Sequence, residues 1–175
     1  LGIPTELLKK EDLEKLTELD AQGGEFSKAR DLTGMEHCIN LTVLNLRENQ
    51  INDISPLSNL TRLTELSLQS NPIQDIYPIA NLINLAQLNL TNCHQVSDIK
   101  PLSNLTRLAH FGVSSGNVRD ITPLSNLNEL WHIDLGGNPV EDISPLANLP
   151  KLTRLWIWRT TELKDISPLS QMQNL

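Results

Sequence analysis

Two histidines, His110 and His132, stand 22 residues apart, and Asp134 follows two residues after the second. Imidazole and carboxylate are groups that bind zinc or move protons, so chemistry is sought here first. A zinc site also needs a third ligand and hydrogen bonds that orient the ligands, which makes a polar contact surface the favoured reading. Hydrolysis needs a Ser or Cys placed beside a base in a closed pocket, and no such placement is visible. Cys38 and Cys93 lack CxxC spacing, so structural zinc is not expected, and their places in the repeat described below hold them too far apart for a disulfide. Arg154, Trp156 and Trp158 follow downstream with alternate spacing, and Trp with Arg is the usual make-up of a binding hot spot. No enzyme, resident metal or cofactor is expected; a contact surface is.

The elements that position these residues come from an internal repeat. The acidic residue of each D-I-x-P unit falls at Asp53, Asp75, Asp98, Asp120, Asp142 and Asp165, at intervals of 22, 23, 22, 22 and 23 residues. A fixed period of this size marks a solenoid. Within each unit the pattern L-x-x-L-x-L-x-x-N-x-I recurs, as in Leu63, Leu66, Leu68, Asn71 and Ile73. The alternation Leu66-Ser67-Leu68 has a strand's period of two, with the leucines inward and Ser67 outward. The fold class is therefore an α/β leucine-rich repeat: a solenoid arc with a parallel sheet on the concave face and a short helix or 3₁₀ turn on the convex face.

After each strand a polar residue is expected at the bend, satisfying loop N–H and C=O groups that have no strand partner. The series is Asn49, Asn71, Cys93, Gly116, Asn138 and Thr160. Cys93 and Thr160 retain part of that hydrogen bonding and Gly116 retains none. Both Cys93 and Thr160 lie in 23-residue units, so the extra residue and the changed rung are read as one altered turn. On the convex side, Ser55-Pro56, Thr122-Pro123, Ser144-Pro145 and Ser167-Pro168 read as an N-cap followed by Pro at the first helical position, with Tyr77 and Lys100 as poorer caps. Cys38 takes the register of Leu60 and is read as a buried small hydrophobe. His37 and His94 are read as solvated loop residues.

Residues 1–40 read as an N-terminal cap and 41–175 as about six repeats, the last incomplete. Leu7, Leu8, Leu13, Leu16 and Leu19 give part of Pro4 to Leu19 an amphipathic, helical pattern. Leu16-x-x-Leu19-x-Ala21-x-x-Gly24 then fits a degenerate first strand, with Phe26 in the apolar place after its bend. A polar-faced terminal unit of this kind protects the exposed end of an array. No matching cap closes the other end, so the array is expected to continue past Leu175.

The same template lists the side chains on the concave face. Its third position gives Val43, Glu65, Gln87, His110, His132 and Arg154; its fifth gives Asn45, Ser67, Asn89, Gly112, Asp134 and Trp156; its seventh gives Arg47, Gln69, Thr91, Ser114, Gly136 and Trp158. The expected partner-binding set is Glu65, Gln87, His110, His132, Asp134, Arg154, Trp156 and Trp158. Gly112 and Gly136 are expected to leave a depression beside the tryptophans. Trp156 and Trp158 either meet a partner, or cover the solenoid near its end or pack on a next repeat; Trp131 is read as flanking packing.

Composition narrows the partner. Hydrophobic residues make up 39% and aromatics 3%, which suits a thin Leu/Ile interior. The net charge of −7 and the lack of a Lys/Arg cluster exclude nucleic acid. No apolar run is long enough to enter a bilayer within this segment. Asn-Leu-Thr occurs at Asn40, Asn59, Asn89 and Asn104, but the repeat consensus itself generates the triplet.

Asn49 to Ile76 (NQINDISPLSNLTRLTELSLQSNPIQDI) and Asn138 to Trp158 (NPVEDISPLANLPKLTRLWIW) resemble the 22-residue repeats of internalins and related bacterial surface proteins. The opening EDLEKLTELDAQG…ARDLTGMEHCINLTVL is similar to the cap of that group. The resemblance implies a right-handed arc with short 3₁₀ turns on its convex face, and adhesion or receptor binding through the concave face, at the bacterial surface or outside the cell. The same repeat subclass occurs in an intracellular regulatory subunit of a serine/threonine phosphatase, so a cytoplasmic scaffold is the alternative reading. Carbohydrate adhesion through the tryptophan pair is the third, with a glycan in place of a protein partner. Neither an immunoglobulin-like flanking domain nor a wall anchor lies within these residues.

Overall fold

The computed structural model describes residues 10–24, 28–172 and 174. A short helix, α1 (Lys10–Leu13), is followed by seven three-residue strands: β1 (Glu18–Asp20), β2 (Val43–Asn45), β3 (Glu65–Ser67), β4 (Gln87–Asn89), β5 (His110–Gly112), β6 (His132–Asp134) and β7 (Arg154–Trp156). They form one parallel sheet in chain order. The register follows the repeat residue for residue, with Glu65 opposite Gln87, Gln87 opposite His110, His110 opposite His132, and His132 opposite Arg154. The sheet is open, each strand is followed by a convex 3₁₀ turn, and the whole is a leucine-rich repeat solenoid. Leu7, Leu8 and Phe26, assigned from sequence to the cap, and Leu175 lie outside the described residues.

The core is a stack of aliphatic rows. Leu44, Leu66, Leu88, Phe111 and Ile133 occupy one row, and Leu46, Leu68, Leu90, Val113 and Leu135 the next, all buried. Strand alternation drives both rows inward while the residues between them stay on the concave side. Cys38 and Cys93 are buried free thiols within the same core, and burial pushes both above the usual thiol value.

The bend after each of β2 to β7 is made one residue before the Asn position. Glu48, Ser70, Asn92, Ser115 and Arg159 are left-handed, with φ between 53° and 60°, and Gly137 has φ 70°. A left-handed non-glycine residue is strained by roughly 1–2 kcal/mol, so something must hold it. After Glu48 and Ser70 the Asn side chain does. Asn71 Nδ2 donates to Leu46 O and Leu68 O at 2.8 and 2.9 Å, and its Oδ1 accepts from Ile51 N at 3.0 Å. Asn49 and Asn138 repeat this pattern. Cys93 Sγ donates only to Leu68 O, and Thr160 Oγ1 only to Ile157 O.

The 23-residue units explain why a glycine is tolerated next in line. Where the following rung is Asn, the N–H two places after a rung uses its amide oxygen, as Ile51 N uses Asn71 Oδ1 and Val118 N uses Asn138 Oδ1. The extra residue instead lets Val96 N close on Cys93 O at 3.0 Å, and Leu163 N on Thr160 O at 3.2 Å. The unit holding Cys93 thereby supplies its own acceptor, and the following Gly116 is not asked for one.

The convex turns correct the capping expected from sequence. Ser55, Ser144, Ser167 and Thr122 are not caps but the first residues of their 3₁₀ turns. The acceptor is the Asp two places earlier: Asp53, Asp75, Asp98, Asp120, Asp142 and Asp165 each accept the backbone N–H of the turn's first residue at 2.7–2.9 Å. A backbone donor is the same whatever its side chain, so Tyr77 and Lys100 keep this bond, while Thr122, Ser144 and Ser167 add a hydroxyl bond to the same carboxylate. Asp31 holds Thr33 N in the same way.

Candidate functional site

β5, β6 and β7 bring six of the eight sequence-predicted contact residues together on the concave face. His110 and His132 stack with ring centroids 4.4 Å apart and planes 26° apart. Trp156 meets His132 edge-on at 4.7 Å. Arg154, next in the His110–His132 row, places its guanidinium 5.4 Å from the centre of the Trp131 ring. Asp134 is fixed on both oxygens, accepting from Ser114 Oγ at 2.8 Å and from Gly136 N at 3.0 Å. Trp156 is 51% exposed and Trp158 46%.

Three details depart from the reading of the sequence. His132 shares the row and the face but is only 7% exposed, roofed by its neighbours, and its Nε2 has no hydrogen-bond partner. The depression expected beside Gly136 is filled: a Cβ there would lie 2.1 Å from Trp158, whose indole rests on the bare glycine backbone. Trp131, expected as flanking packing, belongs to the cluster, 5.5 Å from the His132 ring and 6.0 Å from His110. The signal for it was available in the repeat. Its register neighbour is Ala109, to whose carbonyl Trp131 N bonds, and a methyl group leaves an indole room to lean onto the adjacent row.

Burial sets the electrostatics. It holds both imidazoles below the usual histidine value; at His110 the Asp134 carboxylate offsets part of this. At His132 burial is again the larger cause, His110 adds to it, Asp134 opposes it, and Arg154 lowers it further. The site therefore presents neutral rings, one guanidinium and one carboxylate.

Glu65 and Gln87, the other two predicted residues, lie elsewhere on the face. With Glu18, Asp20, Val43 and Asn45 they line an open groove of about 510 Å³ over β1 to β5, which no Lys or Arg lines. His110 stands where groove and ring cluster meet. Among the described residues no group of His, Cys, Asp and Glu could hold a metal ion, and no helix is long and apolar enough to cross a membrane. The arrangement can stack on, desolvate and hydrogen-bond a partner's surface.

Comparison with known proteins places this geometry. The family model for leucine-rich repeats matches residues 39–82, 61–104 and 129–171. An internalin (inlF) of Listeria monocytogenes is 37% identical, with TM-score 0.75, over 96% of this chain and 55% of its own, so this chain spans about half of that protein's length. Internalin C2 of the same organism is 32% identical, with TM-score 0.72, over 96% of this chain and 82% of its own. A leucine-rich repeat protein of Leptospira interrogans shares the fold at 18% identity, with TM-score 0.62, over 95% of this chain and 55% of its own. No curated protein matches in sequence. With its ladder of rungs, parallel concave sheet and convex 3₁₀ turns, the chain belongs to the leucine-rich repeat family and, within it, to the internalin type.

Proposed function

We propose that this chain is the recognition part of a surface-displayed or secreted bacterial protein, and that it docks a protein partner on the concave face through the ring cluster of β5 to β7. The observation that carries this reading is the exposure of Trp131, Trp156 and Trp158 beside Arg154 on one face. Large exposed apolar side chains that share a face are uncommon on a monomer unless they meet something, and Trp and Arg dominate the energetics of interfaces. Membership of the internalin type supports both the binding role and the location at or beyond the cell surface.

Trp156 is the expected anchor, because it is the most exposed of the three rings and rests against the buried His132. Trp156→Ala is expected to weaken a partner identified by capture from host-cell extracts by at least about 30-fold, the equivalent of roughly 2 kcal/mol. Titration of wild-type and variant protein in parallel measures it. Unchanged affinity for Trp156→Ala and Trp131→Ala alike would remove the cluster from the interface. Binding to a glycan array that the same substitutions abolish would replace the protein partner with a carbohydrate.

A further inference from the structure

The ring cluster holds a feature that contact alone does not require. His132 is more than nine-tenths buried, and its Nε2 meets neither a donor nor an acceptor. A neutral imidazole can leave one nitrogen unpaired at modest cost. An imidazolium there would carry a buried N–H and a positive charge with nothing to accept it.

The groups facing His132 can be named strand by strand. β5 supplies His110, stacked at 4.4 Å. β6 supplies Asp134, and β7 supplies Arg154, the next residue in its row; Trp131 and Trp156 bring no charge. Asp134 is the one anion, and both its oxygens are committed to Ser114 and Gly136. Against it stand a permanent guanidinium and a second imidazole that takes up a proton in the same pH range. Protonation of both stacked rings would place like charges face to face beside Arg154.

We infer that the His110–His132 stack is an acid-sensitive latch: on protonation His132 leaves its place against Trp156, and the ring cluster comes apart while the solenoid beneath it stays folded. The backbone of β6 is held by its ladder to β5 and β7 and by the buried Ile133 and Leu135, so the side chain can swing without unfolding the rung. Burial and the neighbouring positive groups hold the imidazole below its ordinary value of 6.5. The closed form is then fully favoured above that value and is lost as pH falls through the lowered one. Between the two values each pH unit raises the open fraction by up to about tenfold. This inference concerns the unbound protein and stands whether or not the partner docks on the cluster.

The test follows the indole N–H and imidazole C–H resonances by NMR from about pH 8 to about pH 5, the range in which histidines titrate. The expected result is that the Trp156 indole signal moves in step with His132, at a midpoint below 6.5, while the core methyl signals stay in place. H132Q abolishes the movement; H94Q retains it, because His94 sits exposed on a bend against Ser115 O. H110Q, which removes the stacked neighbour, shifts the His132 midpoint upward and serves if H132Q fails to fold. Titration of His132 at or above 6.5 with a stationary Trp156 signal overturns the latch, as does a Trp156 transition that persists in H132Q or an unmoved midpoint in H110Q.

Discussion

The two halves of the concave face share one backbone and differ in what stands on it. From β1 to β4 the third-position side chains Glu18, Val43, Glu65 and Gln87 stand apart and leave an open groove of about 510 Å³. From β5 to β7 the same position carries His110, His132 and Arg154, whose rings and guanidinium pack on one another and on the tryptophans. Strand pairing is unchanged across the boundary. The scaffold therefore places no demand on these residues, and the contrast between acidic groove and aromatic cluster is free to serve recognition. Aromatic planes fill space by stacking and edge contact; carboxylates and amides stay solvated.

The largest expected effect tests whether the halves share one cooperative core. Phe111 lies beneath the clustered half and Leu66 beneath the groove, both buried. Phe111→Ala is expected to cost about 3–5 kcal/mol and Leu66→Ala about 2–5 kcal/mol. Urea unfolding followed by far-ultraviolet circular dichroism should show a single transition moved to lower denaturant in each. Two separate transitions would mean that the halves fold independently.

An intermediate effect sharpens the contrast within the clustered half. Gly136→Ala forces the Trp158 indole off the backbone it covers, because the new methyl would lie 2.1 Å from it. Overpacking of this kind costs roughly 1–3 kcal/mol, reduced here to the extent that the indole can swing into solvent. Gly112→Ala, whose nearest neighbour is Thr91 Oγ1 at 3.4 Å, is expected to be close to neutral. Thermal melts of the two variants, with tryptophan emission as a second readout, measure the difference; equal melting points would show that Trp158 does not rest on Gly136.

The smallest effects belong to the convex turns, which do not distinguish the halves. Hydrogen bonds from the turns hold Asp53, Asp120 and Asp165 below the usual carboxylate value. A lowered carboxylate stabilises the fold above its unfolded value, and that contribution is lost as pH falls through the lowered one. Asp53→Ala and Asp120→Ala, on opposite sides of the boundary, are each expected to lower stability slightly by removing the acceptor of the turn's N–H. Comparing each variant with wild type at neutral pH and again near pH 3, a range where carboxylates protonate, should show the deficit shrink in acid. A deficit that stays constant would assign the loss to something other than the charged cap.

How far the sequence could be read depended on the range of the interaction concerned. The register of β2 to β7 was legible because each rung needs its leucines inward, and a one-residue slip would turn them out. The rung hydrogen bonds at Cys93 and Thr160 followed from side-chain type at a fixed place in the repeat, although Cys93 reaches Leu68 O on the preceding repeat and Thr160 only Ile157 O, three residues back. The caps were misassigned to Ser and Thr because Asp-Ile-Ser-Pro offers two candidate acceptors, and only coordinates show which oxygen reaches the N–H. Trp131 was misplaced because it lies one residue outside the alternating pattern and enters the site by leaning across a strand.

By itself the sequence determined the arc, the order of its strands and the face on which each side chain stands, since a repeat spaced to pair with its own neighbours has one way to bury its leucines. Only the tertiary structure decided which of those side chains are covered. His132 is roofed, Trp158 fills the space above Gly136, and the open groove lies over the opposite half. Those outcomes depend on how rings from separate strands fit together in three dimensions, and no periodicity along a chain encodes that fit.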